Sequence, residues 1–403
     1  MRILFLRTAL YPSDFPGNVR LRNFAWHCAK LNAKVTILAL NNGLSSDDLS
    51  RYVDEQRKEG ISCRLMTIPR FVRRLMFLMD RVVGLFCPME SWDFCERIIL
   101  EREADRAFLP RAFDVIIATM PSWGCAKLAA NLSRKMDVPW IADFRDLPDE
   151  FDIERKKRSV RLTVNRLLPV LATASGFITV SKPLIRRLEM VYKLSPVELV
   201  SNGYEGCLPP IPPVARDRFR IVYTGVVAYG RTPELLFRGL DLLLDRGIDL
   251  HDVEVLFIGS VPSPDIGLKN YKSFRLCKFL GAKSRAVAIE YQRAASILLS
   301  LASPGFEGIL SSKIFDYVKA GRPVLNIPSD NGTLDEFIKR SRIGVSCADA
   351  MSVADFIEKL YSQWRITSSL EYCRDEDFLT SYSRENQTAR LYQFANKVIG
   401  TCV

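Results

Sequence analysis

Short runs of apolar, mostly β-branched residues recur along the chain, separated by longer stretches in which apolar positions return at helical spacing. That alternation is the pattern of parallel strands joined by crossover helices. In the first half it predicts strands over Ile3–Leu6, Val35–Leu40, Val115–Ala118, Trp140–Asp143, Phe177–Val180 and Glu198–Ser201. Between the first two, Val19–Lys30 sets Val19, Leu21, Phe24, Trp26 and Ala29 among Arg20, Arg22, Asn23 and Lys30, which predicts a helix. The segment Gly206–Arg216 (GCLPPIPPVAR) holds four prolines, is poor at being helix or central strand, and reads as an interdomain linker. After it the pattern restarts, with strands predicted over Phe219–Thr224, Val253–Ile258, Phe274–Phe279, Ala295–Leu299 and Pro323–Ile327. A polar, turn-like Asp375–Ser383 precedes an amphipathic Arg384–Ile399. The reading is α/β: two facing, Rossmann-like doubly wound domains with a ligand cleft between them. They span 1–205 and 218–382, with a linker at 206–217 and a C-terminal helix at 383–403.

Composition narrows the class. A length of 403 residues suits two domains, and 48% apolar with 26% charged residues is the balance of a soluble globular protein. No stretch reaches the roughly 20 apolar residues of a membrane span. The opening MRILFLRTAL stops at Tyr11-Pro12 without a small-residue cleavage site, so it reads as a first strand and not as a leader. Lysine and arginine number 57 against 46 aspartates and glutamates, a formal excess of +11 that favours anionic partners. The basic residues form no aromatic-interleaved platform, which argues against nucleic acid. Ten scattered cysteines without a C-x-x-C pair suit reduced thiols in the cytoplasm, not a zinc site or disulfide frame. His27 and His251 are the only histidines, which excludes a mechanism needing several.

The densest chemistry lies in Phe306-Glu307-Gly308-Ile309-Leu310-Ser311-Ser312-Lys313-Ile314-Phe315-Asp316-Tyr317. A glycine- and serine-bearing loop opens a helix near Ser311 or Ser312, and Gly321-Arg322-Pro323 stops it. The free amides of the first turn, near Ser312, suit a phosphate, and Lys313 adds a full charge. Asp316, one turn on, can accept hydrogen bonds from ribose hydroxyls. The plainer alternative is that Ser312 caps the helix while Lys313 and Asp316 pair in solvent.

SSKIFDYVKAGRPVL resembles the donor-binding helix of the family-4 glycosyltransferases, which have the two-domain GT-B fold. The resemblance extends, in order, through FDVIIATMPSWGCAKLAA (Phe113–Ala130), VPWIADFRD (Val138–Asp146), TVSKPL (Thr179–Leu184), VSNGYE (Val200–Glu205) and YTGVVAYGRTPELL (Tyr223–Leu236). It implies an enzyme that moves a sugar from a nucleotide diphosphate donor to a glycan or lipid-linked acceptor in surface-polysaccharide synthesis. The first domain would take the acceptor and the second the donor, with retained anomeric configuration, no cofactor and no obligatory metal.

The same resemblance assigns roles. Asp316 stands as the second acid of a Glu-x7-Glu pair and binds the donor ribose. The first acid would fall at Gly308, with Glu307 one residue off. Arg231 and Lys313 would hold the donor pyrophosphate. In the first domain the loop holding Gly17 would approach the donor phosphate and the transferred sugar. Many relatives have histidine near Arg145, which stays protonated and cannot be a base. Arg145 would instead neutralise phosphate, oriented by Asp143 or Asp146. A structural Arg–Asp pair at a strand end is the alternative. Two other functions fit the same fold, a non-catalytic glycan- or partner-binding protein and a nucleotide-sugar epimerase.

Phe71–Phe86 (FVRRLMFLMDRVVGLF), drawn as a helix, gathers Arg73, Arg74, Asp80, Arg81 and Gly84 on one face and apolar residues around the rest. It suits peripheral contact with an anionic membrane, at the inner face of the cell membrane, aided by the ERKKRSVR run at Glu154–Arg161. A helix packed into the first domain with a solvated basic edge accounts for the pattern equally. Asp375-Glu376-Asp377 reads as a solvated turn, not a metal motif.

Overall fold

A computed structural model describes residues 1–10, 16–86, 94–120, 122–147, 166–228, 230–260, 267–302, 310–367, 369–370 and 372–401. The chain divides into two compact units, Met1–Ser201 with Arg384–Val403, and Asn202–Ser383.

The first unit is built on seven parallel strands: β1 (Arg2–Leu10), β2 (Lys34–Asn41), β3 (Ile61–Thr67), β4 (Val115–Met120), β5 (Trp140–Phe144), β6 (Gly176–Thr179) and β7 (Val197–Leu199). They lie in the order β3-β2-β1-β4-β5-β6-β7, so the winding reverses between β1 and β4. β1 is buried from Ile3 to Leu10, as expected of a central strand covered on both faces. On one face Ile3, Phe5, Val35, Ile37, Val115, Ile117, Ile141 and Ile178 meet two helices. One is the Pro16–Lys30 helix, through Leu21, Phe24, Ala25 and Cys28. The other is the C-terminal Arg384–Thr401 helix, through Leu391, Phe394, Ala395 and Val398.

The second unit has six parallel strands: β8 (Phe219–Thr224), β9 (Val253–Ile258), β10 (Cys277–Phe279), β11 (Ile297–Leu301), β12 (Val324–Ile327) and β13 (Gly344–Ser346). Their order is β10-β9-β8-β11-β12-β13, with the reversal between β8 and β11. Alternate residues of β8 feed opposite cores, Phe219, Ile221 and Tyr223 one and Val222 the other. Each unit is therefore a doubly wound α/β domain.

Three local readings change. The strand expected over Phe274–Phe279 begins only at Cys277, because Lys272–Leu276 winds as a 3-10 helix. The Asp241 carboxylate accepts from the amides of Lys272 (3.0 Å) and Ser273 (2.8 Å), and Phe274 packs on Phe237. The Asp375–Ser383 turn contains a short helix, Glu376–Thr380, with Asp375 accepting from the Phe378 amide at 2.8 Å. The proline-rich segment is anchored to the second unit. Buried Arg322 donates to the carbonyls of Pro212 (2.9 Å) and Pro213, and the Trp364 indole to that of Ala215 (2.7 Å). Among the described residues no helix is long and apolar enough to cross a membrane, and the described cysteines are free thiols.

Candidate functional site

In the second unit the site residues gather beyond the C-terminal end of β8, where the sheet order reverses and doubly wound folds bind ligands. Thr224 runs into Gly225 at φ +138°, a backbone conformation that side chains rarely adopt. A Cβ on Gly225 would lie 1.9 Å from the Lys313 Nζ, so the missing side chain is the space the lysine occupies. Gly259, just after β9, repeats the device at φ +137°: a Cβ there would lie 2.0 Å from the Gly225 carbonyl oxygen. Two glycines, each following an apolar strand, thus make room for one ammonium group.

Lys313 is the second residue of the Ser312–Ala320 helix. The cap falls on Ser311, whose hydroxyl makes no capping bond, so Ser312 is the first helical residue rather than the cap. The first-turn amides lack the side-chain partner that usually satisfies them. The Lys313 ammonium stands 5.3 Å from the centre of the Tyr223 ring and feels the like charge of Arg231. Burial, then Arg231, push its pKa down to about 8. Arg231 follows the turn in which its amide donates to the Ala228 carbonyl at 3.2 Å. Neither cation has a carboxylate partner among the described residues. Two basic groups held together, one partly desolvated, are suited to an anion carrying several oxygens.

Asp316 does not pair with Lys313. It accepts from the Arg285 guanidinium at 2.8 Å, an ion pair with the neighbouring Arg285–Ala294 helix. The helix itself is fixed by Tyr317, fully buried, which sequence reasoning passed over. Its hydroxyl donates to the Leu299 carbonyl (2.9 Å) and accepts from the Thr224 amide (3.2 Å), tying β8 and β11 to the helix one residue beyond Asp316. Glu307 and Gly308 lie outside the described residues.

In the first unit Gly17 falls in the first turn of the Pro16–Lys30 helix, which starts earlier than the predicted Val19. Asp143 ends β5 nearly fully buried, and its partner is Arg20, not Arg145. Arg20 grips both carboxylate oxygens (2.8 to 3.2 Å) and also donates to the carbonyls of Val200 (2.8 Å) and Ser201 (3.1 Å). Arg20 therefore consumes one of the two carboxylates expected to orient Arg145. Burial explains why: Arg20 needs a counter-charge and carbonyls once its helix packs on the sheet. Asp146 remains beside Arg145, whose Nε is buried and makes no hydrogen bond. Burial raises the Asp146 pKa, with Arg145 and Arg20 opposing. The ERKKRSVR run lies outside the described residues.

Neither protein-family profiles nor curated protein sequences match the chain. Its fold does have solved counterparts. Sucrose-phosphate synthase from Thermosynechococcus elongatus superposes with a TM-score of 0.63 at 15% identity, over 99% of each chain. Anabaena HepE, solved in complex with UDP and glucose, gives 0.61 at 14% identity over 98% of this chain and 100% of its own. The lipopolysaccharide outer core galactosyltransferase WaaB, in apo form, gives 0.57 at 13% over the full length of both. At such identities the likeness is one of fold: the two doubly wound domains form the GT-B architecture.

Proposed function

We propose that this protein is a GT-B glycosyltransferase that binds a nucleotide diphosphate sugar in its second domain and passes the sugar to a glycan or lipid-linked acceptor. The observation that carries the reading is the pairing of Lys313 and Arg231 at the end of β8, without a carboxylate to neutralise them, on a fold whose solved counterparts include HepE bound to UDP-glucose. A diphosphate supplies the charge this pair lacks. Asp316, oriented by Arg285, is placed on the same helix to receive ribose hydroxyls.

The proposed reaction retains anomeric configuration and uses no cofactor or metal. As the sugar–phosphate bond breaks, charge builds on the departing diphosphate, where Lys313, Arg231 and the amides at Ser312 stabilise it. A donor phosphate oxygen takes the acceptor proton, so the protein need not supply a histidine. Arg145, Asp146, Glu307 and the turn at Gly17 are proposed to position the transferred sugar and its acceptor. WaaB, named for lipopolysaccharide outer core, supports surface polysaccharide as the setting.

Transfer kinetics of Arg231→Ala and Lys313→Ala test this assignment. Each is expected to depress kcat by roughly 100-fold, the size of losing one preorganised charge donor, with the melting temperature held or raised. Kinetics unchanged in both variants would remove the phosphate site.

A further inference from the structure

The Arg70–Phe86 helix presents its apolar side outward. Met76 is buried and Val72 and Asp80 are half-buried, and the helix docks on the Phe94–Ala107 helix, whose Cys95 thiol donates to the Met76 carbonyl at 3.9 Å. The Asp80 carboxylate accepts from the Cys95 amide at 3.3 Å. Arg73 turns inward as well, donating to Asn42 Oδ1 (2.6 Å) and the Asn41 carbonyl (2.9 Å) at the end of β2. Leu78, Phe71, Val82, Leu75 and Met79 fall within an arc of about 100° on the opposite side. Their exposure runs from 49% at Met79 to 73% at Phe71. With Phe77, this one helix carries six of the fourteen exposed large hydrophobic side chains among the described residues. Such a patch marks a surface with a partner.

Charge identifies the partner. Arg74 and Arg81 line one edge of the apolar arc, both exposed and neither in an ion pair among the described residues. The helix's one acid, Asp80, faces inward. An apolar face edged by arginine along one side and free of outward acid matches an anionic bilayer, with the side chains in the acyl boundary and the guanidiniums at the phosphates. An antiparallel two-fold pairing of copies through this face would bring the arginine edges of both copies together, like charge against like. We infer that this helix seats the protein on an anionic lipid surface. The inference rests on exposure and charge in the first unit and is independent of the donor site.

Vesicle flotation of the full chain tests it, using phosphatidylglycerol in phosphatidylethanolamine against phosphatidylcholine alone. The protein should float with the anionic vesicles and stay below with the neutral ones. Leu75→Glu with Leu78→Glu should abolish flotation. Arg74→Gln with Arg81→Gln should weaken it about 25-fold, about five-fold per arginine, and high salt should do the same. All four side chains are exposed, so both variants should melt with the wild type; if the glutamates do not, Phe71→Ser with Val82→Ser replaces them. Wild type that never floats, or variants that float as it does, would overturn the inference. A dimer dissolved by Leu75→Glu, without vesicle binding, would assign the face to a second copy instead. Nucleotide-induced stabilisation should be the same in every variant, which separates this outcome from that of the donor site.

Discussion

Lys313 is held at a cost to the free protein. Its pKa of about 8 lies below the ordinary lysine value because burial and Arg231 disfavour the charge. The unfolded chain therefore binds that proton more tightly than the native one between about pH 8 and the ordinary value near 10.5. The destabilisation is complete below pH 8 and is relieved as pH rises through that window. Lys313→Met should accordingly melt higher than wild type at pH 7, by on the order of 1 kcal/mol after solvent screening, and the gain should vanish by pH 10. A diphosphate needs the ammonium form, so its affinity should fall about tenfold per pH unit above pH 8. Titration calorimetry at pH 7 and pH 9 reads both the affinity and the proton taken up at the higher pH.

Arg20 and Asp143 make the opposite case, a charge pair whose removal is destructive. Both are buried, and Arg20 also holds two carbonyls. Asp143→Ala leaves that guanidinium uncompensated and should lower the unfolding free energy by roughly 3–5 kcal/mol, as measured by urea titration.

At the scale of elements, the central strands were plain from the chain and two of the edge strands, β3 and β13, were not. β1, β4, β8 and β11 are near-continuous apolar runs because both faces are covered. β3 alternates buried and exposed positions through Ser62, Arg64 and Thr67, and β13 is three residues long, so neither stands out as an apolar run. The candidate site shows the same division. Lys313, Ser312 and Asp316 could be singled out because their residue types suit phosphate and ribose, and Arg231 through the family resemblance. Arg20, Arg285 and Tyr317 could not, since each acts through a partner far away in sequence. Gly225 and Gly259 left a visible signal, a glycine directly after an apolar strand at each of two neighbouring strands, but their purpose depends on the packing of one against the other. Gly259→Ala meets backbone and should destabilise by roughly 2 kcal/mol or more. Gly225→Ala shares the strain of a positive φ, but its methyl meets mainly the flexible end of Lys313, so nucleotide binding should suffer together with stability. Denaturant midpoints and nucleotide affinities of the two variants separate these effects.

For the whole molecule, the account joins a shared architecture to a particular site. Likeness to sucrose-phosphate synthase, HepE and WaaB over nearly the full chain establishes the GT-B fold, which hosts transfer to many acceptors. The features behind the proposed donor site of the second domain are local: two glycines, an uncapped helix start, and two cations without a counter-charge among the described residues. The chain's end contributes to the other domain, where Leu391, Phe394 and Val398 of the last helix complete the core and Gln387 accepts from the Ser201 amide at 2.6 Å.

The most direct test of that account is thermal unfolding of the full chain at pH 7 against nucleoside diphosphates and their sugar conjugates, for wild type, Lys313→Met and Asp316→Ala. A ligand of the native state at 100 times its dissociation constant adds about 2.7 kcal/mol. The account predicts that shift for one nucleotide in wild type, lost in Lys313→Met and diminished in Asp316→Ala. A saturating panel that shifts nothing, or a shift equal in all three proteins, would contradict it.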